Sequence, residues 1–415
     1  MSEMKLSGEV PGIPSSEFRA RIERVRDFVL DKDLGGLLAY SSPRAHMWHQ
    51  TGHVGWLSNW ANRDRIPESM VFVPAAGDPV LLFSGLPFMF PQVKEVSWME
   101  DVRIVRSFDP NAVAIQSGAR EAGDVGDFAD ETLRVLAERG LVGKNVGLVG
   151  IENMPVPFYE ALKRGIGTSR LKVVEDIVAR LRAVKSKNEI ALMRKSASLS
   201  DLGYQTFVDV AKAGMRGIDA IAEAEKAVRA HGTEEVLWWI ANVPDGRWDQ
   251  SVVDIKPTPR KLAHGDQIMM CSYVVYKGYW AHAHRCGSLG KESAQMKHMW
   301  EPAFEAQCAA VEKMKPGVRV SEVVRAARIT AEKHGFSLHG GRMGHGIGVD
   351  YGERPFLSED NDALLEAGNV AIVHTCFTDP RSGKMLIPNG DLCHVTEDGP
   401  ELLYAFPRQL FLAAG

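Results

Sequence analysis

The alternation of apolar and polar positions along the chain sorts it into helices of period 3.6 and short strands of period two or unbroken apolar runs. Phe18, Ile22, Val25, Phe28 and Val29 recur at helical spacing within Ser16–Asp31, with Ser15 or Ser16 as the expected cap. Leu34–Tyr40, Ser69–Val73, Val80–Phe83 and Asn145–Gly150 read as strands, and Asp127–Arg139 as a helix. Further on, Ser186 with Glu189 three residues later forms a capping box that opens a helix through Ile190, Met193 and Ala197. A second helix is expected over Gly217–His231, and others over His298–Met314 and Val320–His334. Glu234–Trp239 is a strand ending in a tryptophan pair, and Asn369–Val373 is a short buried one. Lys384–Leu386 is expected to pair with a closing strand at Asp391–Val395.

Between these lies Gly265–Arg285, two apolar and aromatic strands joined near Lys277-Gly278. The second ends in His282-Ala-His284, and because strand side chains alternate, both imidazoles face one side. Two more histidines have the same character. His345 sits in Gly344-His-Gly-Ile-Gly348, and His374 follows the strand at Val373. The strands and helices before residue 170 form a pattern separate from this region, which predicts an α/β (α+β) chain of two domains, residues 1–172 and 173–415.

Composition narrows the class. The chain has 415 residues, 45% hydrophobic and 25% charged, and a net charge of −4, which gives no basic field for nucleic acid. No uncharged apolar run of about 18 residues appears, so no membrane partner is expected and the chain reads as cytoplasmic. Five scattered cysteines fit a reduced compartment.

The order of Gly-Asp, strand, Gly-Tyr, strand, Gly-His-Gly-Ile-Gly, strand and Val395-Thr-Glu-Asp-Gly399 resembles the pita-bread family of methionine aminopeptidases, prolidases and creatinase, over roughly residues 175–400. The resemblance implies an N-terminal creatinase-like α/β domain, a C-terminal pita-bread catalytic domain and a homodimer whose N-terminal domain lends residues to the partner's site. In the peptidases of that family, two aspartates, a histidine and two glutamates hold two metal ions. By position those ligands fall here on Cys271, His282, His345, His374 and Gly390, the last beside Asp391. Four of the five differ.

The resemblance therefore implies one divalent transition metal, zinc, iron or manganese, on His282, His345 and His374, or none; whether Cys271 or Asp391 is a ligand stays open. Three neutral imidazoles with an open position suit such an ion. His284, at a substrate-binding glutamate of creatinase, and Asp254, where creatinase keeps a catalytic histidine, are candidates for proton transfer. Glu353 matches a peptidase glutamate, while Gly352 stands where the peptidases keep a second histidine. Arg63 and Arg65 lie in a segment dense in tryptophan and histidine, and the resemblance to creatinase implies that one of them binds a substrate carboxylate, with Trp239 and Arg342 bordering the pocket.

With so few carboxylates the pocket is expected to be cationic, helped by Arg285, Arg342 and Arg354, and to take a small anionic or zwitterionic substrate. The expected function is a small-molecule hydrolase of an amide or amidine C–N bond, not an ordinary Xaa-Pro peptidase. A metal-free amidinohydrolase, a three-histidine iron oxygenase or lyase, and a non-catalytic peptide-binding protein are the alternatives.

Overall fold

The computed structural model describes residues 10–42, 52–60, 68–108, 113–116, 127–249 and 260–414. They divide into two compact units, one from Ile13 to Arg182 and the other from Ala183 onward together with the described residues before Ile13.

The first unit is built on six strands: β1 (Gly36–Ser41), β2 (Ser69–Pro74), β3 (Val80–Ser84), β4 (Asp101–Val105), β5 (Val146–Val149) and β6 (Leu171–Val173). Their spatial order is β4-β3-β2-β1-β5-β6, with β1–β2 and β2–β3 antiparallel and the other pairs parallel. Leu38, Tyr40, Phe72 and Leu148 from the strands meet Phe128 and Phe158 from the helices Phe128–Glu138 and Val156–Ile166 in one buried core. Helix Ser15–Asp31 buries the stripe Phe18, Ile22, Val25 and Val29. Its N-cap is Pro14 and no side chain caps it, so the expected serine cap is corrected: Ser15 and Ser16 lie inside the first turn. Asp127 does cap its helix, accepting from the backbone nitrogens of Ala129 and Asp130.

The second unit opens with the Ser186–Glu189 capping box at the head of helix Lys187–Val210, followed by helix Gly217–Arg229. Its strands are β7 (Glu235–Val243), β8 (Gln267–Tyr276), β9 (Tyr279–Leu289), β10 (Ser337–Leu338), β11 (Arg342–Gly346), β12 (Glu353–Ser358), β13 (Val370–Val373), β14 (Phe377–Thr378), β15 (Met385–Leu386), β16 (Asn389–Thr396), β17 (Gly399–Leu402) and β18 (Phe411–Ala413). The large sheet runs β12-β11-β13-β16-β9-β8-β7. Lys277 and Gly278, both at positive φ (44° and 94°), turn β8 back into β9, a geometry that suits a two-residue hairpin loop.

Helix Lys187–Val210 packs on β8 and β9, and Tyr204 from it donates to the Ala283 carbonyl at 2.8 Å. Helices Ala294–Glu312 and Val320–Lys333 follow β9 and pack on each other. One strand expectation is corrected. Met385–Leu386 pairs with Phe377–Thr378 in a small three-stranded sheet with β10, while the closing strand β16 pairs with β13, β9 and β17.

Candidate active site

Strand pairing gathers the chemistry on one face of the large sheet. Cys271 on β8 is the register partner of His284 on β9, which in turn faces Gly390 on β16; one step along, Tyr273 pairs with His282. His345 on β11 pairs with Ile372 on β13, and His374 follows the end of β13, its backbone nitrogen donating to the Met343 carbonyl. The four imidazoles converge. Ring centroids are 4.7 Å apart for His282–His284, 5.4 Å for His282–His374, 5.6 Å for His284–His374 and 5.3 Å for His345–His374. Tyr273 stacks on His282 at 4.4 Å, and Tyr351 lies against His282 and His345 at 5.2 and 4.6 Å.

The backbone sets the tautomers of two rings. His282 Nδ1 lies 3.0 Å from the Ser272 carbonyl and His345 Nδ1 lies 2.8 Å from the Gly346 carbonyl. A carbonyl only accepts, so each Nδ1 carries the proton and each Nε2 keeps its lone pair. The Nε2 of His345, the Nε2 of His374 and the Nδ1 of His284 are buried and have no hydrogen-bond partner. Buried polar atoms are ordinarily paired, so three orphans in one cluster point to a missing partner. Burial is the largest cause holding the His282, His284 and His345 imidazoles well below their ordinary pKa, and it takes His374 down to about 4. Neighbouring imidazoles add to this at His282, His284 and His345, and Arg342 at His345 and His374. At neutral pH the rings are uncharged donors of lone pairs. The buried Cys271 thiol is pushed up and stays protonated when nothing is bound.

Several expected roles change. Glu353 is buried in an ion pair with Lys185 at 2.8 Å and also accepts from the Asp350 backbone nitrogen, so its carboxylate is committed to holding that loop. Arg285 turns to the opposite side of β9, fully buried, 3.3 Å from Asp391 and over the rings of Tyr204 and Tyr404. Arg408 and Gln307 hold the second oxygen of Asp391 at 2.9 and 3.0 Å, which removes Asp391 from the imidazole face. Arg285 is thus paired with Asp391 behind the imidazole face, from where its charge still helps to lower the His284 pKa, and of the expected cationic cluster Arg342 and Arg354 are exposed. Trp239 is half-buried and packs edge-on against Tyr273, next to the cluster, whereas Trp238 goes into the core against Tyr204. Asp254, Arg63 and Arg65 lie outside the described residues. Tyr273 and Lys185 were missed; Tyr273 shares the two-residue period of Cys271, a usable signal, but nothing in sequence links Lys185 to residue 353.

Residues 191–397 match the metallopeptidase family M24. The chain belongs to that family. A putative dipeptidase of Bacillus subtilis, YkvY, is 27% identical over 303 residues, covering 71% of this chain and 82% of the relative. The Xaa-Pro dipeptidase of Pyrococcus horikoshii is 24% identical over 264 residues, covering 63% and 74%. The crystal structure of the prolidase from Pyrococcus horikoshii superposes with a TM-score of 0.74 at 19% identity, over 94% of this chain and all of that one, which shows the shared fold.

M24 peptidases are hydrolases of peptide C–N bonds, so the enzyme class read from the sequence stands, as does the pita-bread fold in its mixed α/β form. The expectation that the changed ligands exclude an ordinary Xaa-Pro peptidase is corrected by these relatives, named dipeptidase and Xaa-Pro dipeptidase and matched over most of their length. The amidine-cleaving, oxygenase, lyase and non-catalytic alternatives fall with it. Replacing a ligand changes which atoms hold an ion; it does not by itself change the bond that is cut.

The family implies a divalent metal, and the donor set fits one of the borderline kind. The cluster offers unprotonated imidazole nitrogens with backbone-anchored partners, the outer-shell pattern of metal-binding histidines. Among the described residues it offers no carboxylate oxygen, since Asp391 and Glu353 are both committed elsewhere, and so these residues do not fit a hard ion that needs an oxygen cage.

Proposed function

We propose that the chain is a peptide hydrolase of dipeptidase type, cutting the C–N bond of a small peptide at the imidazole cluster. What carries this reading is the similarity to a putative dipeptidase over 82% of that relative's length. One divalent ion, chosen among zinc, iron and manganese, is drawn to the nitrogens around which His282, His345 and His374 stand. When bound, it polarises the scissile carbonyl or activates water.

The chain's own residues do the rest. His284, with an unpartnered Nδ1, is the proton carrier beside the ion. Trp239, Tyr273 and Tyr351 exclude water from the reacting bond, and Lys185 and Glu353 fix the loop that carries Tyr351. The substrate is zwitterionic, as every free dipeptide is, and Arg342 at the edge meets its carboxylate. A homodimer belongs to this reading through the family resemblance, and a cytoplasmic location through the scattered cysteines.

The test is a panel of dipeptides, with and without proline at the second position, incubated with the full chain loaded in turn with each of the three ions and read by amino-acid release. Hydrolysis that disappears in His282→Ala supports the reading. A folded, metal-loaded protein that releases no amino acid from any member overturns it.

A further inference from the structure

Cys271 is the one donor in the cluster to which peptide hydrolysis gives no role. We infer that an ion bound here takes the Cys271 thiolate as a ligand together with His282 and His284, in a mixed sulfur–nitrogen shell that selects zinc and softer ions over manganese and magnesium. This rests on the reading above for the presence of an ion among these imidazoles and departs from it in the ligands: His284 passes from proton carrier to ligand, and His345 and His374 pass from ligands to the open side.

The donor atoms of Cys271, His282 and His284 lie within 4.8 Å of one another, the one such group among the described residues. Cys271 Sγ is 3.6 Å from His284 Nε2, which is 3.1 Å from His282 Nε2. A tetrahedral ion with bonds of about 2.3 Å to sulfur and about 2.05 Å to nitrogen sets those pairs about 3.5 and about 3.3 Å apart. The Cys271–His284 and His284–His282 pairs are thus already spaced as ligands of one ion.

Register explains why. Cys271 and His284 are direct partners on the ladder, and His282 lies two residues along the same face. His345 and His374, each with a buried and unpartnered Nε2, remain to line the fourth position. Three protein ligands and one open position is the arrangement of catalytic rather than structural zinc.

The chemistry of the shell sets its preference. Thiolate and imidazole favour zinc and copper, while manganese and magnesium favour carboxylate, carbonyl and water. Among the described residues no carboxylate joins this group to redress the balance. Binding converts the thiol to a thiolate, so one proton per ion passes to solvent and the sulfur's negative charge cancels one of the ion's two positive charges.

The experiment titrates the metal-free full chain with cobalt(II) as a spectroscopic stand-in for zinc. The expected result is one equivalent bound, a sulfur-to-cobalt charge-transfer band in the near ultraviolet, and release of one proton. Zinc should displace the cobalt, and manganese in hundredfold excess should not. Cys271→Ser should lose the band and weaken zinc binding by more than the 10- to 100-fold typical of losing an outer-shell partner. Cys286→Ser is the control: Cys286 is also buried on β9, but bonds to the Ile387 carbonyl. X-ray absorption of the zinc-loaded wild-type chain needs no variant and should show one sulfur scatterer. An ion bound through nitrogen and oxygen alone overturns the thiolate assignment and leaves the hydrolase reading standing. Absence of any bound ion overturns both.

Discussion

Gly390 stands opposite His284 across the β16–β9 ladder, and a Cβ at position 390 would lie 2.7 Å from His284 Cδ2 and 2.6 Å from its backbone nitrogen. The imidazole thus occupies the space that a side chain at 390 would need. His284 and Gly390 are two halves of one packing solution, and a side chain cannot be added at 390 without strain.

Gly390→Ala is therefore expected to lower unfolding free energy by about 1–3 kcal/mol, the usual cost of forcing atoms into a packed site. It should also weaken metal binding by displacing His284. Gly352→Ala, where an added Cβ meets nothing within 4 Å, should be close to neutral. Urea denaturation of the two variants side by side is the check, and equal stabilities would refute the packing argument.

The buried Lys185–Glu353 pair gives a second expectation. Glu353→Gln strands a buried ammonium and should cost about 3–5 kcal/mol, whereas replacing both partners with apolar residues of similar size should cost far less. A double-mutant cycle by urea denaturation measures the difference. Loss of stability in the double variant equal to the sum of the singles would rule out a coupled pair.

Asp391 separates a structural carboxylate from a metal ligand. Asp391→Asn leaves Arg285 and Arg408 without their buried counter-charge and should cost about 3–5 kcal/mol. The zinc content of the folded variant should stay at the wild-type value. A variant that folds normally but loses its metal would put Asp391 back on the imidazole face.

Asp201 titrates abnormally in the folded chain. Burial lifts its carboxyl to about 6 from an ordinary 3.8, and its Oδ1 has no partner, while Oδ2 accepts from the Ala405 backbone nitrogen. Between those two values the folded state holds a proton that the unfolded chain has released, so stability falls as pH rises through the window. Asp201→Asn removes that loss and should stabilise the protein at pH 8 by up to about 3 kcal/mol, with little effect at pH 3. Urea curves at the two pH values test it; the same effect at both would show that ionisation is not involved.

Much of this protein is determined by local pattern. The period of two places His282 and His284 on one face of β9 whatever the fold, the Ser186–Glu189 box starts its helix from three residues, and Lys277-Gly278 turns the hairpin. The spacing of the histidine-bearing segments also marks the pita-bread half, because strand length and turn chemistry act over a few residues. What sequence does not determine is which carboxylates stay with the site. Asp391 is one residue from a ligand position, yet its pleat direction sends it to Arg285 and Arg408, and Glu353 is claimed by Lys185, 168 residues away. Those partnerships arise from pairing β16 with β9 and β13 and from packing β12 near the entry to helix Lys187–Val210, contacts between segments far apart in the chain. Burial completes the division: 13 histidines are alike in the sequence, and only the folded sheet makes four of them uncharged neighbours, two of them beside a thiol.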